Sequence, residues 1–166
     1  LMAEGRTQAL EQWLRTLPPE NFGASPWLLY WQASVRLIHN PVEARRLLEQ
    51  AITGFRETND AQGAHLAWCN IVNSILRERT DYSSLHDWIP AYATLPTTPA
   101  DSSSEQPVIV SMLNAMVLVQ PAHPDTDPWS ERALTLLQSN ARATLRLGAG
   151  TYLLMRHVLS GEPLRA

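Results

Sequence analysis

Apolar residues recur along this chain at intervals of three and four, and no stretch alternates with the period of two that a strand requires. The pattern predicts eight helices. The first runs from about Ala3 to Leu17, with Leu10, Trp13, Leu14 and Leu17 on one face, and stops at Pro18-Pro19. The second follows Ser25 as N-cap, takes Pro26 as its first residue and ends near His39-Asn40. Pro41 opens the third, whose buried stripe is Ala44, Leu47, Leu48, Ala51 and Phe55.

The fourth helix is expected over about Asp60 to Arg79 and the fifth over about Tyr82 to Leu95. Pro90 should kink or shorten the fifth, because it removes a ladder donor and clashes one turn back. "PTTPADSSSEQP" is the one long loop. A sixth helix from about Gln106 to Gln120 follows, then a seventh from Asp127-Pro128 to about Ser139. The eighth spans about Arg142 to Ser160 and is ended by Gly161. The fold class is all-α, and residues 1–166 are expected to form a single domain.

The helices repeat. Trp31 and Trp68 lie 37 residues apart, as do Val35 and Val72, and Leu48 and Leu85, while Leu10 precedes Leu48 by 38. Trp13, Ala51 and Trp88 share a register. Helices one, three and five are therefore one type, and two, four, six and eight another. Leu113 and Val117 continue the second type after an insertion in the Ser/Pro-rich loop. A period near 37 with two helices per unit is the pattern of a helical solenoid. It predicts a right-handed α-α superhelix of about three and a half antiparallel helix pairs.

Composition narrows the chemistry. All 13 cationic residues are arginine, so no P-loop lysine, Schiff-base lysine or lysine general base can operate in this segment. A net charge of −3 provides no basic field for nucleic acid, and no direct nucleic-acid contact is expected. "VIVSMLNAMVLV" is too short and, with Ser111 and Asn114, too polar to span a bilayer. No signal peptide is visible, and the lone Cys69 reads as a small buried hydrophobe in a reducing, cytoplasmic setting.

Candidate reactive groups are scattered. His39, His65, His86, His123 and His157 include no metal-ligand spacing, so no metal and no cofactor is expected. His65 and Cys69 share a helical face, but two ligands do not make a zinc site. The carboxylates Glu43/Glu49 and Asp81/Asp87 lack a catalytic context. Gly148 and Gly150 in "RLGAGTYLL" lack the strand and lysine of a phosphate loop and read as small residues for close helix approach. No catalytic residue is assigned, and the expectation is a non-enzyme.

Part of the tetratricopeptide pattern is present: "ARRLLEQA" provides Ala44, Leu48 and Ala51 at the spacing of that repeat's second helix, while Gln32 stands where Gly or Ala is usual. With "EGRTQALEQWLRTLP", "PWLLYWQASVRL", "NPVEARRLLEQAITGFRETND" and "LAWCNIV", the chain resembles the tetratricopeptide-like domains of bacterial MalT-type transcriptional regulators of the STAND class. The resemblance covers about residues 1–95 and is only general beyond. It implies a sensor arm, excised from a larger multidomain protein, that binds an inducer or a partner protein and controls neighbouring ATPase and DNA-binding domains. The alternative is a protein–protein scaffold or self-association module without a small-molecule ligand.

The resemblance also places a concave groove. Its register puts Ala33 and Arg36, then Asn70 and Asn73, then Ala115 and Leu118, along the groove, with Arg77 one turn further on the fourth helix. Arginine forks and asparagine amides there suit a carboxylate or polar ligand; equally, they suit a solvated helix face. Within "PWLLYWQASVRL", Trp31 is expected as inter-helix core because Trp68 repeats it. Trp27 is expected over the Pro18–Phe22 turn. Tyr30, which has no counterpart one repeat on, is the ring left for a ligand.

Overall fold

Prolines and short polar side chains set where the helices begin. The computed structural model describes residues 7–16, 25–97 and 104–161, and these are all-helical with no strand. In order they form α1 (Thr7–Arg15), α2 (Pro26–Arg36), α3 (Pro41–Glu57), α4 (Ala61–Glu78) and α5 (Leu85–Ala91). A 3₁₀ turn (Tyr92–Thr94), α6 (Glu105–Val119), α7 (Thr126–Gln138) and α8 (Ala143–Ser160) complete the order.

Pro26 and Pro41 occupy first-turn positions, where a missing N–H costs nothing. Ser25 holds the N-cap position of α2 in extended conformation but makes no capping hydrogen bond. Asn40 does cap α3. Its Oδ1 accepts the Glu43 N–H at 3.1 Å and its Nδ2 donates to Glu43 Oε2 at 3.1 Å, a reciprocal arrangement that satisfies two groups at once. Asp60 caps α4 by accepting the Gly63 N–H at 2.8 Å. Pro90 has the expected effect, for α5 spans only seven residues and gives way to the 3₁₀ turn. Gly161 ends α8 with φ 71°, the left-handed conformation that glycine adopts without strain. The outer parts of the expected first helix, the Pro18–Phe22 turn and residues 98–103 of the Ser-rich loop lie outside the described residues.

The described residues fall into two compact units. The first holds α1–α4 and takes in the chain again at Leu95, Pro96 and Thr97; the second holds α5, the 3₁₀ turn and α6–α8. In the first, α3 packs on both α2 and α4. Its core includes Leu48, Phe55, Trp68, Ile71, Val72 and Ile75, all fully enclosed. The two layers meet where α4 has no side chain: a Cβ on Gly63 would lie 2.3 Å from the Phe55 ring. Arg45 on α3 and Glu78 on α4 close the far end with an ion pair at 2.6 Å.

In the second unit α6, α7 and α8 each pack against the other two. Helix α6 is apolar almost all round, the mark of a central helix, and buries Val108, Ile109, Met112, Leu113, Met116 and Val117. A Cβ on Gly148 of α8 would come within 3.0 Å of Val110 on α6, so one of the two expected close-approach glycines serves that role. Arg156 fastens α8 to its neighbours. It donates to the Pro121 carbonyl at 3.3 Å and to Ser130 Oγ at 2.7 Å, and pairs with Asp127. Among the described residues no helix is long and apolar enough to cross a membrane.

Candidate functional site

The polar residues expected in the groove, with Tyr30, all lie in the first unit, while Ala115 and Leu118 belong to the second, and local bonds already engage most of the polar ones. At the end of α2, Arg36 Nε pairs with Glu43 Oε1 at 3.3 Å, against the cap of α3. Asn70 on α4 donates to Ser34 Oγ on α2 at 3.2 Å. Asn70, Asn73 and Arg77 share one stripe of α4, as a spacing of three and four requires. Asn73 is half-buried and Arg77 exposed. The structure therefore brings Tyr30 and Asn70 together and ties Arg36 elsewhere.

Tyr30 does not stand open. It is buried, 8% exposed, with its ring edge-on to Trp27 at 5.6 Å and to Trp31 at 5.0 Å. Burial raises its phenol above the ordinary tyrosine value, and hydrogen bonding to Ser34 and Asn70 partly offsets this. The ring left for a ligand by the sequence pattern is thus part of the packing between α2 and α4. The reason is rotational: on α2 Tyr30, Ala33 and Ser34 form one buried stripe, and Trp27, Trp31 and buried Val35 follow beside it round the helix.

That side faces α1. Leu10 and Leu14 are buried against Val35, with Leu28 and Trp31 packed on them, so Trp31 does contribute to inter-helix packing. Trp13 does not join the buried face expected for it and is 51% exposed. Between the two helices lies a cavity of about 450 Å³ lined by Ala9, Leu10, Trp13, Ser25, Trp27, Leu28 and Trp31. Among the described residues its walls are three indole rings, aliphatic carbon and Ser25, with no charged side chain.

The indoles are held in place. Trp27 Nε1 donates to Asp60 Oδ2 at 2.9 Å, so its polar edge is satisfied by the residue that also caps α4. Its ring stacks on Trp31 at 6.4 Å and meets Phe55 edge-on at 4.9 Å. Spacing alone carried a signal for this site: Trp27 and Trp31 are four residues apart and must share a helical face. The participation of Trp13, which belongs to another helix, needed the fold.

Elsewhere polar chemistry is sparse. Cys69 is buried, as expected. His65 is buried on α4, where desolvation lowers its pKa below the ordinary 6.5 and a hydrogen bond to the Pro96 backbone acts the other way. Among the described residues no group of three or more His, Cys, Asp or Glu is placed to hold a metal ion. No family model, no curated protein and no solved structure matches the chain.

Proposed function

We propose that the chain is a non-enzymatic sensor and interaction module, the tetratricopeptide-like arm of a cytoplasmic bacterial regulator of MalT type. The cavity walled by Trp13, Trp27 and Trp31 is the observation that carries the ligand half of this reading. Its volume falls within the range of about 300–1,000 Å³ typical of small-molecule sites, and its lining is apolar as such sites are. The right-handed superhelix belongs to the same proposal, supported by consecutive helices that pack on one another within each unit.

The walls favour a neutral, hydrophobic or aromatic inducer over the carboxylate that Arg36 and the asparagines suggested. Among the described residues no opposite charge stands there to replace the hydration that an ion would lose. Such a ligand would join α1 to α2 and act on neighbouring domains through whichever of two states it binds more tightly.

Indole emission and thermal unfolding, measured against panels of neutral aromatic compounds, carbohydrates and carboxylates, test the reading. A neutral aromatic should raise the unfolding temperature and quench emission, and Trp13→Ala should weaken it at least tenfold while leaving the fold intact. Uniformly flat responses from folded protein would instead support a scaffold without a small-molecule ligand.

A further inference from the structure

Helix α8 has two apolar sides, and the second unit covers only one. Ala149 is its single fully buried residue, with Leu145, Tyr152 and Leu153 packed beside it on the α6–α7 core. Almost opposite, Leu147, Leu154 and Val158 are 73%, 59% and 70% exposed. Spacings of seven and four put these three within a narrow arc of the helix surface, with Met155 at its margin. Singly exposed leucines need no explanation, but a continuous stripe marks an interaction surface.

The stripe continues into a socket. Leu137 of α7 and Ala143, Arg146, Leu147, Gly150 and Thr151 of α8 line a shallow cavity of about 470 Å³, where Gly150 leaves room for a side chain from outside. Charge selects what can lie there. Helix α8 contains no acidic residue. Arg142 and Arg146 are exposed at its start, and Arg146 Nε donates to the Leu137 carbonyl at 3.0 Å, which holds the guanidinium at the rim. Among the described residues neither arginine has a carboxylate partner.

We infer that this face of α8 docks an amphipathic helix of a protein partner whose apolar stripe is flanked by glutamate or aspartate. The apolar stripe meets Leu147, Leu154 and Val158, one side chain enters the Gly150 socket, and the carboxylates meet Arg142 and Arg146. A second copy paired through α8 would set cationic helix against cationic helix with no acid on either, which disfavours it. This surface lies in the second unit and does not depend on the tryptophan cavity.

The test uses the 166-residue chain and two synthetic 18-residue helix-forming peptides with the same leucine stripe, one flanked by glutamate and one by lysine. The glutamate peptide should bind at least tenfold more tightly by fluorescence anisotropy. Leu154→Asp should abolish binding, and Arg146→Glu should reverse the preference, with unchanged unfolding temperatures because both positions are exposed. Equal affinity for the two peptides, or no binding by the monomeric chain, overturns the inference. So does a dimer in sedimentation that Leu154→Asp dissolves, since a second copy then covers the face.

Discussion

The α2–α4 and α6–α8 segments present the same order of three helices, and they treat the third helix in opposite ways. Helix α4 buries ten residues, from Gly63 to Ile75, with Trp68 fully enclosed. Helix α8 is equally long and buries only Ala149. Both segments also tie their first helix to their third through a tyrosine and an asparagine, with the roles exchanged. Tyr30 on α2 meets Asn70 on α4, whereas Asn114 on α6 meets Tyr152 on α8. The polar tie is thus common to both segments, and the difference lies in how much apolar surface surrounds it.

The sharpest way to break the comparison is to truncate equivalent apolar positions. Trp68→Ala should cost about 3–5 kcal/mol in urea unfolding, as removal of an enclosed aromatic does. Leu154→Ala on α8 should stay within about 0.5 kcal/mol. Similar losses at the two sites would mean that α8 is covered in solution. A smaller contrast is set by the glycines. Gly63→Ala forces a methyl into the Phe55 ring and should destabilise by about 1–3 kcal/mol. Gly148→Ala requires Val110 to give only slightly, and gains about 1 kcal/mol of helix propensity in return, so its net effect should be small.

The smallest effect is a pH dependence confined to the first unit. His65 has a folded pKa below 6.5, so the unfolded chain binds its proton first as pH falls. The stability that neutral His65 contributes is therefore present above 6.5 and is lost progressively below it. His65→Gln should flatten the decline of the urea midpoint between pH 7 and pH 5. An unchanged slope would place that decline elsewhere.

Much of this fold was legible from spacing. Pro26, Pro41, Pro90 and Gly161 act where their backbone chemistry demands, and the apolar stripe of α3 is the one that the three-four pattern marks. The site was less legible. A repeat register identifies which positions correspond, but not how far each helix is rotated, and a modest rotation of α2 exchanges the fates of Tyr30 and its two tryptophan neighbours. Nor does sequence reveal that a polar side chain is already engaged. Arg36 and Asn70 have the donors a polar ligand needs, and Glu43 and Ser34 already take them. The open side of α8 escaped for a similar reason: a helix apolar on two sides reads as buried, and only its neighbours show which side is covered.

Cys69 gives the first unit a clock. It is the chain's only thiol, sits beside Trp68 on α4 and is 4% exposed. A thiol reagent reaches it only when α4 comes away from its packing, so the labelling rate counts openings of that unit while the other stays silent. A ligand that clamps α1 to α2 would slow the clock only if the two helices open together with α4. Labelling with and without ligand would therefore reveal whether the tryptophan cavity and the α3–α4 core breathe as one body or as two.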